Sequence, residues 1–203
     1  MKNLYSEDAF TGLEAAIVLI AFVVVAAVFS YVVLGAGFFT SQTAQSTVHT
    51  GVGQASSSME VVGNVYGVEN AGKTALAYEN VTVALTAGGT PIDLSGLVVS
   101  YTDSNKGHDA NLQAGDGAGN LFSCTAAMAQ GGTQAWCIGQ KINAASATNA
   151  MLDPNAQVVI IVGLPTTATP NTQFTVNFQP STGASLPITK NIPGGLTAVQ
   201  PLY

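Results

Sequence analysis

The chain divides into two patterns of hydrophobic and polar positions. Between Leu13 and Phe39 almost every residue is Ala, Val, Ile, Leu or Phe. Those 27 residues exceed the ~20 that an α-helix needs to span a bilayer. No Asp, Glu, Lys or Arg occurs from Ala15 to Ser58. The first pattern is therefore that of a long apolar helix.

Beyond this run, residues 40–62 keep a helical spacing while small polar residues replace the apolar ones. The remaining hydrophobic residues recur every three or four positions: Val48, Val52, Ala55, Met59 and Val62. The pattern predicts one helix from about Phe10 to Val62, on the order of 80 Å long at 1.5 Å per residue. A compact domain cannot bury such a rod, so we expect it to contact a membrane, other copies of the chain, or both.

After the predicted helix, short runs rich in Val, Ile, Thr and Tyr alternate with Gly, Pro, Asn and Asp, which indicates β-strands. The candidate strands are 75–85, 94–102, 120–123, 135–139, 157–163, 173–178, 185–189 and 197–202. The continuous apolar run 158–162 predicts a strand buried on both faces. The predicted fold class is therefore α+β, with a long N-terminal hydrophobic helix followed by an Ig-like antiparallel β-sandwich over 65–203.

Charge is scarce, and its balance excludes one class of partner. The 203 residues include five Lys, no Arg and eleven acids, for a formal net charge of −6. Nucleic-acid binding requires clustered Lys and Arg to neutralise phosphates, so we expect no nucleic-acid partner. The low charge favours a chain that packs against copies of itself, because few surface charges repel one another.

Two cysteines, Cys124 and Cys137, occur without a CxxC motif or a Cys/His cluster, so the sequence predicts no zinc site. If the domain is exported, a disulfide between them closes a loop of about a dozen residues and contributes roughly 3 kcal/mol. The alternative is that both are free thiols buried as small hydrophobic residues.

The stretch DAFTGLEAAIVLIAFVVVAAV resembles the amino terminus of type IV pilins, and most of all that of archaellins, the archaeal flagellins. Two later stretches, ALTAGGTPIDLSGLVVSYTD and FTVNFQPSTGASLPITKNIPGGLTAVQPLY, are similar to archaellin β-domain segments. The resemblance covers most of the chain. Residues 106–155 match no such segment, and we interpret them as surface insertions.

This resemblance implies a class III, prepilin-type leader peptide, 1–9, and a filament-core helix, 10–64. Alignment of FTGLE with the pilin start makes Phe10 the first mature residue, so we expect cleavage between Ala9 and Phe10. Cleavage between Asp8 and Ala9 is the alternative. Many archaellin leaders end in basic residues and Gly, whereas this one ends in acids and Ala. Retention of the leader therefore stays open.

Glu14 lies at the edge of the apolar run, where a buried charge needs a partner. The resemblance implies an assembly role in which Glu14 pairs with the new amino-terminal ammonium of Phe10. The alternative places Glu14 at a headgroup or solvent boundary. The same helix carries small residues that would let helices approach closely, unless they are ordinary small residues of a spanning helix: Ala26, Ala27, Gly35, Ala36 and Gly37.

Asn80 begins the sequon Asn80-Val81-Thr82 within a candidate strand. If Val81 and Val83 face the core, Asn80 faces outward. Archaellins are commonly N-glycosylated, so the resemblance implies a glycan at Asn80, which would add the solubility that charges do not.

Catalytic and metal chemistry find little support in the sequence. The loops 103–109 and 115–120 are rich in Asp, Asn and Gly but lack the EF-hand spacing, so turn formation explains them better than calcium does. His49 and His108 stand apart, and neither a GxSxG motif nor a P-loop is present. We therefore predict no enzyme, no cofactor and no metal site.

The leading hypothesis is a structural subunit of the archaellum filament, which assembles through its N-terminal helix and serves swimming motility. One alternative is an archaeal type IV pilus subunit for adhesion, and another is a membrane-anchored surface binding domain. The expected partners are further copies, related subunits, a prepilin peptidase, archaellum assembly and motor proteins, and the membrane before assembly. The expected location is an extracellular filament on the cell surface.

Overall fold

The computed structural model describes residues 5–105, 107–129 and 134–203. The described residues divide into two compact units, one before and one after the boundary between Thr50 and Gly51. The elements are α1 (Tyr5–Ser56), β1 (Met59–Val61), β2 (Val65–Glu69), β3 (Leu76–Leu85), β4 (Ile92–Asp93), a 3₁₀ turn (Leu94–Gly96), β5 (Val98–Asp103), β6 (Gly107–Asp109), β7 (Gln113–Ala114), α2 (Thr125–Met128), β8 (Ala135–Ile142), β9 (Met151–Leu152), β10 (Gln157–Gly163), β11 (Gln173–Gln179), β12 (Leu186–Asn191) and β13 (Val199–Leu202).

The described strands of the second unit form two main sheets of unequal size and one two-stranded sheet. The larger sheet has the order β13-β2-β3-β10-β8-β7, and β1 also pairs with β3. The smaller sheet has the order β12-β11-β5-β6, and β4 and β9 form a separate pair. All strand pairs are antiparallel except β7 and β8, which are parallel. The α+β prediction, a long helix followed by mostly antiparallel sheets, is confirmed.

The inner faces of the two sheets share one hydrophobic core. The larger sheet contributes Val81 from β3 and Ile160 from β10, and the smaller contributes Phe174 and Phe178 from β11. All of them are at most 1% exposed. Because side chains alternate along a strand, every second residue of these strands reaches this core.

The helix α1 ends at Ser56 and not near Val62, so the predicted helix was too long. Met59–Val61 instead forms β1, which pairs with the end of β3, and Met59 lies opposite Leu85. Pairing with β3 satisfies the backbone of these residues and buries Met59, which is 5% exposed. Strand pairing and burial therefore override the helical spacing of these residues, because a local sequence period contains no information about contacts with a distant strand.

The prediction that residues 158–162 are buried on both faces was wrong, because β10 fully buries only one of its faces. Val158, Ile160 and Val162 are fully buried, whereas Val159 and Ile161 are only half-buried. An antiparallel sheet needs only one face packed against the core, and here the other face remains partly open. A continuous apolar run therefore does not prove burial on both sides.

Residues 120–123 form a turn and not the predicted strand. The Asp116 carboxylate accepts hydrogen bonds from the backbone N–H groups of Ala118 and Asn120, at 2.8 and 3.1 Å. The Asn120 side chain in turn accepts one from the N–H of Phe122, at 3.2 Å. Such local side-chain bonds favour turns over sheet ladders, and the two bonds from backbone N–H groups hold the pKa of Asp116 below its usual range.

The predicted strand 94–102 was also too long at its start, because Leu94–Gly96 is a 3₁₀ turn and β5 begins at Val98. The Asp93 carboxylate caps this turn by accepting a hydrogen bond from the Ser95 N–H at 2.8 Å.

The interpretation of 106–155 as surface insertions was wrong in part. Its strand β8 lies inside the larger sheet, where Trp136 is completely buried.

A disulfide joins Cys124 to Cys137, which confirms that prediction. It ties the residue before α2 to β8, and α2 covers part of the outer face of the larger sheet. Ala127 of α2 and Ala135 of β8 are completely buried at this contact. A Cβ at Gly163 of β10 would lie 2.5 Å from the carbonyl oxygen of Ala127, so only glycine permits so close an approach.

The double variant Cys124→Ala with Cys137→Ala should lower the free energy of unfolding by about 3 kcal/mol, because its unfolded chain is no longer cross-linked. Thermal unfolding of the full chain checks this, and chemically reduced wild type should unfold at the same temperature as the variant. An unchanged unfolding temperature in both would show that the disulfide does not stabilise the fold.

Candidate assembly interface

The side chains of α1 from Gly12 to Gln54 are almost all exposed, and most are apolar. Its large hydrophobic side chains are between 52% and 80% exposed, with Phe22 at 73% and Phe39 at 72%. By length and composition, this helix could cross a membrane. Burying one such side chain is worth roughly 1.5–3 kcal/mol, so this surface strongly favours an apolar partner.

Gly35 and Gly37 lie in the middle of this surface. A Cβ at either position would meet nothing within 4 Å, so the fold of the single chain does not require glycine there. Gly37 leaves a shallow groove between larger apolar side chains, among them Phe29, Val33 and Phe38. A groove of this kind can receive a side chain of a neighbouring helix, as in close helix–helix packing.

Four threonines follow the apolar run at a spacing of three, four and three residues. The hydroxyl groups of Thr40, Thr43, Thr47 and Thr50 each donate to the backbone carbonyl four residues earlier, at 2.8 to 2.9 Å. With the hydroxyls satisfied inside the helix, the methyl groups are left to face a partner. The sequence analysis did not single out these four threonines, although their spacing is that of a helix–helix seam.

Glu14 is exposed and borders a shallow groove with Ala15, Val18, Leu19 and Phe22. It is therefore positioned to meet another molecule. Its predicted partner is the ammonium of residue 10, which exists only after cleavage. Ala9 and Phe10 belong to α1, but their side chains lie outside the described residues, as do residues 1–4 of the predicted leader.

Asn80 lies on the outer face of the larger sheet. Val81 and Val83 are completely buried and face the core, so the alternation of β3 turns Asn80 and Thr82 outward. Asn80 is half-buried between Tyr66 of β2 and Ile161 of β10. Its Oδ1 atom is buried and has no hydrogen-bond partner among the described residues.

The two loops considered for calcium use their carboxylates within the protein. Asp103 accepts hydrogen bonds from the Asn105 N–H at 2.8 Å and from the Tyr101 hydroxyl at 2.7 Å. Asp116 binds the backbone of its own turn. The described part of the chain holds no group of three or more His, Cys, Asp or Glu that could bind a metal ion.

The chain is similar in sequence to archaeal flagellins. A family model described as archaeal-type flagellin matches residues 9–190. The chain is 37% identical over 213 residues to Probable flagellin 1 of Archaeoglobus fulgidus, with 100% of this chain and 98% of that protein covered.

Two solved structures are also similar to it. The archaeal flagellum of Methanospirillum hungatei strain JF1 has a TM-score of 0.66 at 33% identity, with 94% of this chain and 98% of the other covered. The flagellin FlaB1 of Methanocaldococcus jannaschii has a TM-score of 0.53 at 18% identity, covering 71% and 95%, and so supports the fold alone.

Replacing Gly37 with Leu should prevent self-association without disturbing the folded monomer. A Cβ at this position meets nothing within 4 Å in the single chain. A leucine side chain would occupy the groove that a neighbouring helix needs, and overpacking costs about 1–3 kcal/mol at each contact. Sedimentation of the full chain after removal of detergent measures the effect, with helicity in detergent as the folding check.

Gly37→Ala and Gly195→Leu serve as matched controls. Alanine adds much less volume, and a Cβ at Gly195 also meets nothing within 4 Å but lies outside α1. Both should sediment like wild type. Normal assembly of Gly37→Leu would show that this groove is not a helix–helix contact.

Proposed function

The chain belongs to the family of archaeal-type flagellins, and from this we propose how its parts form and maintain a filament. It is a structural subunit of an archaellum filament and not an enzyme. The observation that carries the proposal is the exposed apolar surface of α1, which holds no Asp, Glu, Lys or Arg from Ala15 to its end. In the filament, the helices of many copies bury this surface against one another, and the β-sandwiches lie outside.

Before assembly, α1 spans the membrane and holds the precursor there. The length and apolar character of the helix support this role. The expected partners at this stage are a prepilin peptidase, which removes residues 1–9, and the proteins that assemble and rotate the filament. The mature chain then leaves the membrane for a filament on the cell surface.

The glycan is proposed at Asn80. Three features support it: the sequon, the outward orientation of Asn80, and the presence of Thr82 on the same face of β3. A glycan here would cover an uncharged part of the larger sheet that includes Tyr66, which is 42% exposed. Sugar hydroxyls would supply the solubility that a chain with 8% charged residues lacks.

Filaments sheared from cells test assembly, cleavage and glycosylation together. Amino-terminal sequencing should read Phe-Thr-Gly-Leu-Glu, and the peptide that contains Asn80 should carry added mass that Asn80→Gln abolishes. An amino terminus at Ala9 would support the alternative cut, and one at Met1 would refute leader removal. Recovery of the chain only as detergent-soluble monomers would refute assembly itself.

Glu14→Gln should shorten or abolish the filaments, because the amide cannot neutralise the ammonium of Phe10 in the apolar core. A charge left unpaired in such a place costs several kcal/mol. Electron microscopy of sheared filaments measures the effect, and Glu60→Gln, at an exposed position on β1, is the matched control. Normal length and helical symmetry for Glu14→Gln would exclude the pairing.

A further inference from the structure

Glu79 is a carboxylic acid placed in the hydrophobic core. It lies on β3 between Gly67 of β2 and Val162 of β10, and its side chain is 0% exposed. Neither carboxyl oxygen has a hydrogen-bond partner among the described residues. Such a group is costly to bury, and its position needs a physical explanation.

The alternation of β3 holds Glu79 inside. Tyr78 and Asn80 face outward, while Glu79 and Val81 face inward. A register shift of one residue would expose Glu79 but would also turn Val81, Val83 and Leu85 out of the core, so the register keeps Glu79 buried.

Burial disfavours the charged form and raises the pKa of Glu79 to about 8. At neutral pH the side chain is therefore a neutral acid.

Two ionisable groups of the smaller sheet interact with Glu79: Tyr101 of β5 and Lys190 of β12. On the flanking strands, Gly67 of β2 and Val162 of β10 lie directly opposite Glu79. The hydroxyl of Tyr101 already donates to Asp103, at 2.7 Å. Burial and this bond raise the pKa of Tyr101 well above its usual range.

Asp103 is itself satisfied, because the hydroxyls of Tyr101 and Thr167 and the N–H of Asn105 all donate to it, at 2.7, 3.1 and 2.8 Å. Lys190 is half-buried and shares the inner face of β12 with Ile188. Among the groups described here it is the only cation, and its charge partly offsets the effect of burial on the pKa of Glu79.

We propose that Glu79 and Lys190 form an alkaline latch between the two sheets. At neutral pH Glu79 keeps its proton, and its carboxyl group has no hydrogen-bond partner among the described residues. At alkaline pH the proton passes to solvent, and the ionised carboxylate pairs with the ammonium of Lys190 on the opposite sheet. An ionised carboxylate in this core requires a partner, and Lys190 is the cation that faces it.

The latch predicts a specific dependence of stability on pH. The native chain keeps the Glu79 proton up to about pH 8, whereas the unfolded chain loses it near its ordinary value of 4.5. Between these values the native state binds more protons than the unfolded state, so stability falls as pH rises. Above pH 8 this group contributes no further change.

Carbon-13 NMR of full-length filaments, labelled at the glutamate carboxyl carbons, measures the titration directly. The chain contains only five glutamates, so the Glu79 signal can be resolved and assigned through the backbone. It should titrate near pH 8. Lys190→Gln should move its midpoint upward, whereas the matched control Lys73→Gln should not, since Lys73 lies 3.8 Å from Glu69 instead.

Thermal unfolding gives a second, independent measurement. The unfolding temperature of wild type should fall between pH 5 and pH 8, and Glu79→Gln should remove most of that fall, because its amide does not titrate. A Glu79 signal that titrates with the ordinary glutamates would overturn the proposal. So would an unchanged Glu79 midpoint in Lys190→Gln, and the wild-type titration needs no variant to fold.

Discussion

The exposed apolar surface of α1 is the constraint on which the rest of the protein depends. Its large hydrophobic side chains are exposed in the single chain, and the sequence contains no Asp, Glu, Lys or Arg from Ala15 to Ser58. Water disfavours such a surface, so the helix needs apolar partners, which in the proposed function are first a membrane and then other copies. In the proposed filament, the glycines at 35 and 37 and the internally bonded threonines would allow close packing on the same surface.

The β-sandwich meets the opposite requirement, because it must be stable while its outer surface stays in water. Its interior is closed by alternating side chains from both sheets. Its exterior relies on hydroxyls and amides more than on charges, as where Thr175 and Thr189 bond each other at 2.9 Å, and Thr102 bonds the His108 ring at 2.8 Å. A surface of this kind is soluble yet repels its neighbours weakly, which suits copies packed side by side.

Glu79 is a core position where a completely buried carboxyl group has no hydrogen-bond partner among the described residues. Everywhere else on the inner face of β3 the residues are apolar, and the disulfide and the glycine at 163 tighten the packing outside the core. Natural proteins break such local rules mainly where another role compensates for the cost. A buried carboxylic acid between two sheets, with a lysine on the opposite sheet, lowers the stability of the fold, so its presence indicates a role other than stability.

The sequence by itself determined the apolar helix, the absence of charged residues from Ala15 to Ser58, the antiparallel sheets after it, and the cysteine pair that the structure joins. These follow from local composition and period, which a single strand or helix expresses on its own. Only the tertiary structure decided where α1 ends, because pairing of Met59–Val61 with the distant β3 displaces the helix. Likewise, only the tertiary structure showed that β8 is a core strand and that Glu79 faces Lys190. Strand pairing and burial arise from contacts between residues far apart in the chain, and no local pattern records which distant residues will meet.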